Sequence, residues 1–560
     1  MTAATAGTRR GARLEWALAL AAAAASVALM CWVGRDMWFR LDVFDFLVGR
    51  EAGSFESWVR PHAGHLQWVA VGLHRLLYGT VGLDFWPWYH LPHLMGHAGL
   101  SLVLWRALLR RGTGRGLAFG AYLVVLALGA SAFLSSIAIG GLIVLALLLL
   151  VADRLDTDAA PSVLERALVA LALLVMATSS SLGVAGVGAC FLAVALTGRL
   201  RRWWWCFLPA VVAYGAWYAT RGATAPQGMV DWGYLPHVPG DALGLLGNAA
   251  ARLIGLNGGG VVAGAIVGAA LAAGFGWLAW KRRLRRWDLV FGSALAAYLL
   301  MVTLVRGAAG KIPLEMARYS YPLILLAVPL VVPRLRFPAR WPGPARTAVL
   351  LLAGGCLVGL NAWQRVADTN AIEREAFGGR VAIETVGQLV AAGDPAIDTL
   401  RLKNDLGIGM GGVLTVADLK GFLSDGWVPA PPRQWAEREA VRGPLRLFPT
   451  GWRDPAPTGP PLLFAQGAPG GCVEVRPGGG RRFTVAGAGE FSLESAGRDW
   501  PTRVELAWQD GFGEFSQEVV VAGRMALATA APPAGGATLG ITNRGEKRLS
   551  VCGVGVAAEG

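Results

Sequence analysis

Up to residue 363 the chain alternates long apolar runs with short basic clusters. Past residue 462 it turns to short runs in which apolar and polar residues alternate between Gly, Pro and Asp. The first pattern predicts membrane-spanning helices, because a hydrocarbon core is crossed by about 20 apolar residues in helical conformation. The runs are Leu14 to Val33, Trp86 to Leu109, Leu117 to Ala132, Ile137 to Ala152, 165–178, 183–198, a span opened by Trp203-Trp204-Trp205, 260–280, 288–305, 320–333 and Ala348 to Trp363. Together they predict about eleven helices, with polar external segments at 35–85, 221–257 and 306–322. The second pattern, in VEVRP, RRFTVAG, EFSLESA, RVELAWQ, SQEVVVAG and RLSVCGV, has the period of two of half-buried strands. It predicts a β-sandwich or jelly-roll over 462–560. Between the two lie amphipathic helices at 371–395 and 415–424 and an irregular Pro-rich stretch at 428–462. The expected fold class is a polytopic α-helical membrane protein with a soluble C-terminal β domain. Its divisions are a transmembrane domain 1–363, a connector 364–461 and the β domain 462–560.

Composition supports the membrane reading, since 54% hydrophobic and 16% charged residues over 560 positions is too apolar for a soluble chain. A net charge of +14 would suit nucleic acid if the basic residues formed a face beside aromatic platforms. Instead they fall between apolar runs, at Arg9-Arg10, Arg110-Arg111, Arg199 to Arg202, Lys281 to Arg286 and Arg334 to Arg346, where each cluster would hold a loop in the cytoplasm. That places the N-terminus inside and residues 364–560 outside, in a multi-pass protein of the cell membrane without a nucleic-acid partner. Leu14 to Val33 is read as an anchor because it is long for a signal peptide. Cys31, Cys190, Cys206 and Cys356 sit in or beside apolar runs and behave as small hydrophobes. Cys472 and Cys552 bracket the strand region and would pair if it lies outside the cytoplasm. No cysteine spacing matches a zinc site.

Polar chemistry concentrates in the stretch from Arg35 to His97, which holds Asp36, Asp42 and Asp45, the turn Pro61-His62-Ala63-Gly64-His65, and every histidine but His237. His90, His93 and His97 recur on one helical face at the start of the second span, where packing is the commoner reason for such a row. Asp42 and Asp45, three apart, share a face if helical. The loop from Asp42 through the His/Pro turn and LQWVAVGLHRLLYG to Gly82 resembles the first external loop of the GT-C superfamily of membrane glycosyltransferases. Ala317-Arg318-Tyr319-Ser320-Tyr321-Pro322 is similar to the Arg-Tyr…Pro element that opens a late helix in many of them. The acids of that superfamily are often adjacent, whereas here Val43 and Phe44 intervene.

The resemblance implies an inverting, lipid-phosphate-sugar-dependent transferase acting outside the cytoplasm on a cell-envelope glycan, glycolipid or glycoprotein. It implies Asp42 or Asp45 as the base that takes the acceptor proton. Arg318, with Lys311 and Tyr319, would bind the donor phosphate, since a guanidinium fork suits that group, and His62 and His65 would contact the acceptor. No cofactor is implied; a divalent ion on His62, His65 and the aspartates is not favoured, because a metal site needs a fuller ligand set. Trp427, Trp435, Trp452, Trp500 and Trp508 would offer stacking faces if the β domain binds carbohydrate, although core packing is the commoner role. The alternative is a non-catalytic polyprenyl-lipid-binding transporter or envelope-assembly protein, which buried mid-span charges would favour.

Overall fold

A computed structural model describes residues 2–35, 37–39, 43–48, 54–62, 64–128, 139–224, 232–256, 261–281, 283–307, 317–335, 343–391, 416–429, 447–450 and the strands and some flanking residues within 472–552. They fall into two compact units, one of residues 1–37 and 50–373, the other of 38–49 and 374–560.

The first unit is helical. It contains α1 (Thr2–Val33), α3 (Phe55–Val59), α4 (Trp68–Val81), α5 (Leu91–Arg110), α6 (Arg115–Ala127), α7 (Ile139–Leu155), α8 (Val163–Ser179), α9 (Ser181–Leu196), α10 (Leu200–Thr220), α11 (Val238–Leu253), α12 (Val261–Trp280), α13 (Arg286–Val302), α14 (Ala317–Val331) and the first part of α15 (Gly343–Ala391). Each apolar run expected to span overlaps one of these helices over its described residues. Three stretches, Arg13–Val33, Val261–Trp280 and Arg286–Val305, are long and apolar enough to cross a membrane by themselves.

Local chemistry explains the breaks. Ser162 opens α8 with a reciprocal cap, its Oγ accepting from the Glu165 N–H at 3.2 Å while Glu165 Oε2 accepts from the Ser162 N–H at 3.0 Å. Ser180 alone is extended between α8 and α9. Close packing requires glycine at two positions. A Cβ at Gly183 would fall 1.7 Å from the Met176 carbonyl oxygen, and one at Gly264 would fall 1.6 Å from that of Leu243. These are the small-residue contacts that let α8 approach α9 and α11 approach α12.

Ion pairs tie alternate helix ends together. Arg110 and Arg111 at the end of α5 reach Asp153, and Arg111 also reaches Asp156, at the end of α7. Arg199 before α10 and Arg286 at the start of α13 both reach Asp158. Arg334, after α14, pairs with Asp288 in the first turn of α13, and Arg115 at the start of α6 bonds Glu15 of α1 at 3.0 Å. Arg110, Arg111, Arg199, Arg286 and Arg334 therefore collect at one end of the unit.

Two expectations are corrected in this unit. The segment 221–257, expected as a polar loop, contains α11, which buries Leu245, Leu246, Ala249 and Ala251 along one face and packs on α12 and α14. The last span and the described part of the amphipathic helix expected at 371–395 are continuous in α15, of 49 residues.

The second unit joins 38–49 to the end of α15, α16 (Val416–Ser424) and the strands. Around α2 (Phe44–Leu47), Trp38, Phe39 and Phe44 form an aromatic cluster with centroids 5.2–5.9 Å apart. Phe44 meets Phe422 of α16 at 6.4 Å, and Arg380 of α15 lies 5.8 Å from the Trp38 ring. The strands are β1 (Leu447–Thr450), β2 (Cys472–Val475), β3 (Gly480–Val485), β4 (Gly489–Ser495), β5 (Thr502–Asp510), β6 (Gly513–Val521), β7 (Arg524–Thr529), β8 (Ala537–Asn543) and β9 (Leu549–Cys552).

They form two antiparallel sheets, ordered β1-β7-β4-β9-β2 and β3-β8-β5-β6. Val475, Leu493, Leu549 and Val551 of the first sheet and Val504 and Ile541 of the second are buried. β2 to β6 and β9 overlap the segments expected as strands over their described residues, while β1 lies inside the stretch expected to be irregular. Trp427 is half-buried and packs edge-on against Phe422 at 6.3 Å; the side chains of Trp435, Trp452, Trp500 and Trp508 lie outside the described ones.

Candidate polar site at one end of the helical unit

The His/Pro turn is a tight reversal. The His62 N–H donates to the His65 carbonyl at 2.9 Å and the His65 N–H to that of His62 at 2.9 Å. Gly64 at φ 79° takes the left-handed position, which glycine adopts without a Cβ penalty. The turn is seated by an apolar cluster of Val59, Leu66 and Trp217, with Trp217 Nε1 of α10 donating to the Val59 carbonyl at 2.6 Å. His62 is buried and His65 half-buried.

From the turn, α4 carries His74 inward. Its Nδ1 lies 2.7 Å from the Ala70 carbonyl and its ring 5.8 Å from Tyr89. Burial pushes the His74 pKa down to about 4; the Ala70 hydrogen bond opposes this and the neighbouring His62 adds to it. A neutral His74 therefore donates from Nδ1 to the carbonyl.

Beyond it, His90 just before α5 and His93 and His97 on it are all buried. His97 is fully engaged, with Nε2 3.1 Å from the Leu126 carbonyl and Nδ1 2.5 Å from Tyr321 Oη. Since the carbonyl can only accept, the proton sits on Nε2, and the Tyr321 hydroxyl donates to Nδ1. Leu126 offers its oxygen because α6 ends at Ala127 and Leu128 leaves the helix at ψ 121°, which orphans the last carbonyls. The same oxygen accepts from Arg365 Nη1 at 2.6 Å, and that nitrogen also reaches Ser26 Oγ of α1 at 3.1 Å. Arg365 is 3% exposed and lies within electrostatic reach of His90, His93, His97 and Tyr321.

Arg365 belongs to a stripe on α15 that was not singled out from the sequence. Asn361, Gln364, Arg365 and Thr369 are buried, and Asp368 pairs with Arg252 at 3.3 Å. The spacing of these five positions is that of one helical face, so an inverted polar stripe was present in NAWQRVADT.

The residues expected to carry chemistry are distributed as follows. His62, His65, Arg318 and Tyr319 belong to the first unit, and Asp42 and Asp45 to the second. Tyr319 is buried in the first turn of α14, which also holds Arg318. Asp45 is half-buried in α2, between the buried rings of Phe44 and Phe46. Asp42, Lys311 and the Arg318 side chain lie outside the described residues and side chains. Cys472 stands opposite Cys552 in the β2–β9 register. Among the described residues no group of three or more His, Cys, Asp or Glu is arranged to hold a metal ion.

No known protein family and no curated protein matches this chain. Among solved structures it is similar to the crystal structure of ArnT from Cupriavidus metallidurans bound to undecaprenyl phosphate, at 15% identity over 76% of this chain and 92% of that one, with a TM-score of 0.42.

Proposed function

We propose that this chain is an integral membrane glycosyltransferase of the GT-C kind, which moves a sugar from a polyprenyl-phosphate donor to a cell-envelope glycan, glycolipid or glycoprotein outside the cytoplasm. The observation that carries the reading is the polarity of α5. Arg110, its last residue, and Arg111 just after it are ion-paired with Asp153 at one end of the unit, while near its start His97 meets Tyr321 and shares the Leu126 carbonyl with Arg365. Polar groups buried among apolar helices are costly and usually mark a path or site for a polar ligand. Gathered at the end away from the basic clusters, they suit a lipid whose phosphate head lies at the non-cytoplasmic surface.

In this reading the acceptor oxygen attacks the anomeric carbon and its proton passes to Asp42 or Asp45. The bond to the phosphate oxygen breaks, and the polyprenyl phosphate leaves with the electron pair. A single displacement inverts the anomeric configuration. Arg318, Lys311 and Tyr319 meet the departing phosphate, where fixed donors are worth most because charge develops there. His62 and His65 contact the acceptor. The strand region, taken as an extracytoplasmic β-sandwich, presents or guides that acceptor.

Mass spectrometry of lipids that co-purify with the protein tests this. A polyprenyl-phosphate sugar is expected. A polyprenyl lipid without sugar would favour the transport or assembly alternative, and only bulk phospholipid would remove support for both.

A further inference from the structure

We propose that the segment carrying Asp42 and Asp45 is clamped by the C-terminal connector, with Phe422 and Arg380 as positioning residues for the base. The clamp is a matter of packing; only the chemistry it serves rests on the transferase reading. α2 cannot hold itself. It has four residues, and Val43 before it makes no side-chain capping bond, whereas an isolated helix shorter than about 12 residues is marginal in water even with good helix formers. Its conformation must therefore come from what it buries. Trp38, Phe39, Val43, Phe44, Phe46 and Val48 are all buried. Asp45 lies between Phe44 and Phe46, so those two rings fix the backbone from which its carboxylate leaves.

Residues 38–49 pack with 374–560 and not with their neighbours in sequence. Phe44 meets Phe422 of α16 with centroids 6.4 Å apart, inside the range of favourable aromatic pairs. Arg380 of α15 stands 5.8 Å from the Trp38 ring, within cation–π reach, while its Nε donates to Glu384 Oε1 at 2.8 Å. Phe422 is itself fixed, because α16 closes in a Schellman turn. The Trp427 N–H donates to the Phe422 carbonyl at 2.9 Å and the Gly426 N–H to that of Leu423 at 3.1 Å, with Gly426 at φ 94°. Such a turn folds its last residue back over the helix, and Trp427 packs edge-on against Phe422 at 6.3 Å. Trp427 also lies so close to Gly387 of α15 that a Cβ there would fall 2.6 Å from its ring. A chain of contacts thus runs from α15 through Trp427 and Phe422 to Phe44, next to Asp45. A base must stand within hydrogen-bond reach of the proton it takes, so breaking this chain should cost rate and spare donor affinity.

Hydrogen exchange and sugar transfer, both read on the full-length protein in detergent with a polyprenyl-phosphate sugar as donor, test the two halves separately. In Phe422→Ala the amides of 38–48 should exchange at least about tenfold faster, with those of α8 and α9 unchanged. Turnover should fall at least about tenfold, the scale of a misplaced reacting group, while donor affinity stays within about threefold. Phe422→Leu, which refills most of the volume, should restore most of both. Should Phe422→Ala fail to fold, Arg380→Met keeps the stem, loses the charge over Trp38 and should still raise exchange and lower turnover several-fold. Val428→Ala, at a neighbouring side chain that is 82% exposed, should match wild type in both. Unchanged exchange of 38–48 in Phe422→Ala or Arg380→Met overturns the clamp, whether or not the chain transfers a sugar. Faster exchange at unchanged turnover, or a turnover loss matched by an equal loss of donor affinity, overturns the positioning role. If neither Asp42→Asn nor Asp45→Asn lowers turnover, the transferase reading fails and the positioning role falls with it, while exchange still decides the clamp.

Discussion

Cutting the Asp288–Arg334 pair from its two sides should give unequal losses of stability. Asp288 has 2% of its side chain exposed, while Arg334 keeps 35%. Asp288 Oδ2 also accepts from the Arg285 N–H at 2.9 Å, which helps to cap α13. Arg334→Met leaves a buried carboxylate with no ionic partner in this pair, and removing one member of a buried pair costs about 3–5 kcal/mol. Asp288→Asn leaves a guanidinium that reaches water and retains an acceptor for the Arg285 N–H. Its cost should be about 1–2 kcal/mol, near that of a charge-assisted hydrogen bond. Asp288→Ala adds loss of the cap, about 1 kcal/mol more. The double variant Asp288→Asn with Arg334→Met should be milder than Arg334→Met alone, because the stranded charge is gone. Denaturant unfolding in micelles, followed by circular dichroism, gives the four values. If Arg334→Met costs no more than Asp288→Asn, the burial asymmetry does not control this contact.

Other expectations are brief. Cys472 and Cys552 should form a disulfide worth about 4 kcal/mol for a closed loop of roughly 80 residues, and intact mass under non-reducing conditions would show two hydrogens lost; two alkylatable thiols would refute it. Folding depresses the His74 pKa from 6.5 to about 4. The unfolded chain therefore gains its proton first as pH falls, so this contribution to stability is whole above pH 6.5 and fades towards pH 4, by about 3 kcal/mol. His74→Leu should flatten that part of the wild-type stability profile between pH 7 and pH 4.5, and an unchanged slope would show that His74 does not carry it. A reporter active only in the cytoplasm should be silent when fused after Gly560, and a strong signal there would reverse the proposed orientation.

What was legible in the sequence was whatever charge or period announces locally. Arg110-Arg111, Arg199 to Arg202 and Lys281 to Arg286 marked helix ends, and they collect at one end because Asp153, Asp156 and Asp158 pair with several of them. The alternation in RVELAWQ and SQEVVVAG announced β5 and β6. The helix α11 was hidden because Gly and Pro around it read as loop, although Leu245, Leu246 and Ala249 mark its buried face. The continuity of α15 was readable in principle, since NAWQRVADTNAIERE holds neither Gly nor Pro.

Arg365 escaped because, two residues past a predicted span, it reads as a flanking charge. Its burial depends on Ser26 of α1 and on a carbonyl freed where α6 stops. These are tertiary facts that no local pattern carries. Conversely, packing is the commoner reason for a row of histidines on one helical face, and for His97 the bonds to Tyr321 and Leu126 give such a role.

The transferase reading rests finally on a carboxylate that takes a proton. Sugar transfer and donor binding should be measured side by side for wild type, Asp42→Asn and Asp45→Asn, with a polyprenyl-phosphate sugar as donor. One of the two variants should lose at least about 100-fold in turnover, the scale of a general base, while its affinity for the donor stays within about threefold, since a base of this kind does not hold the lipid. Full turnover in both variants, or a loss of activity matched by an equal loss of donor binding, would contradict the proposed chemistry.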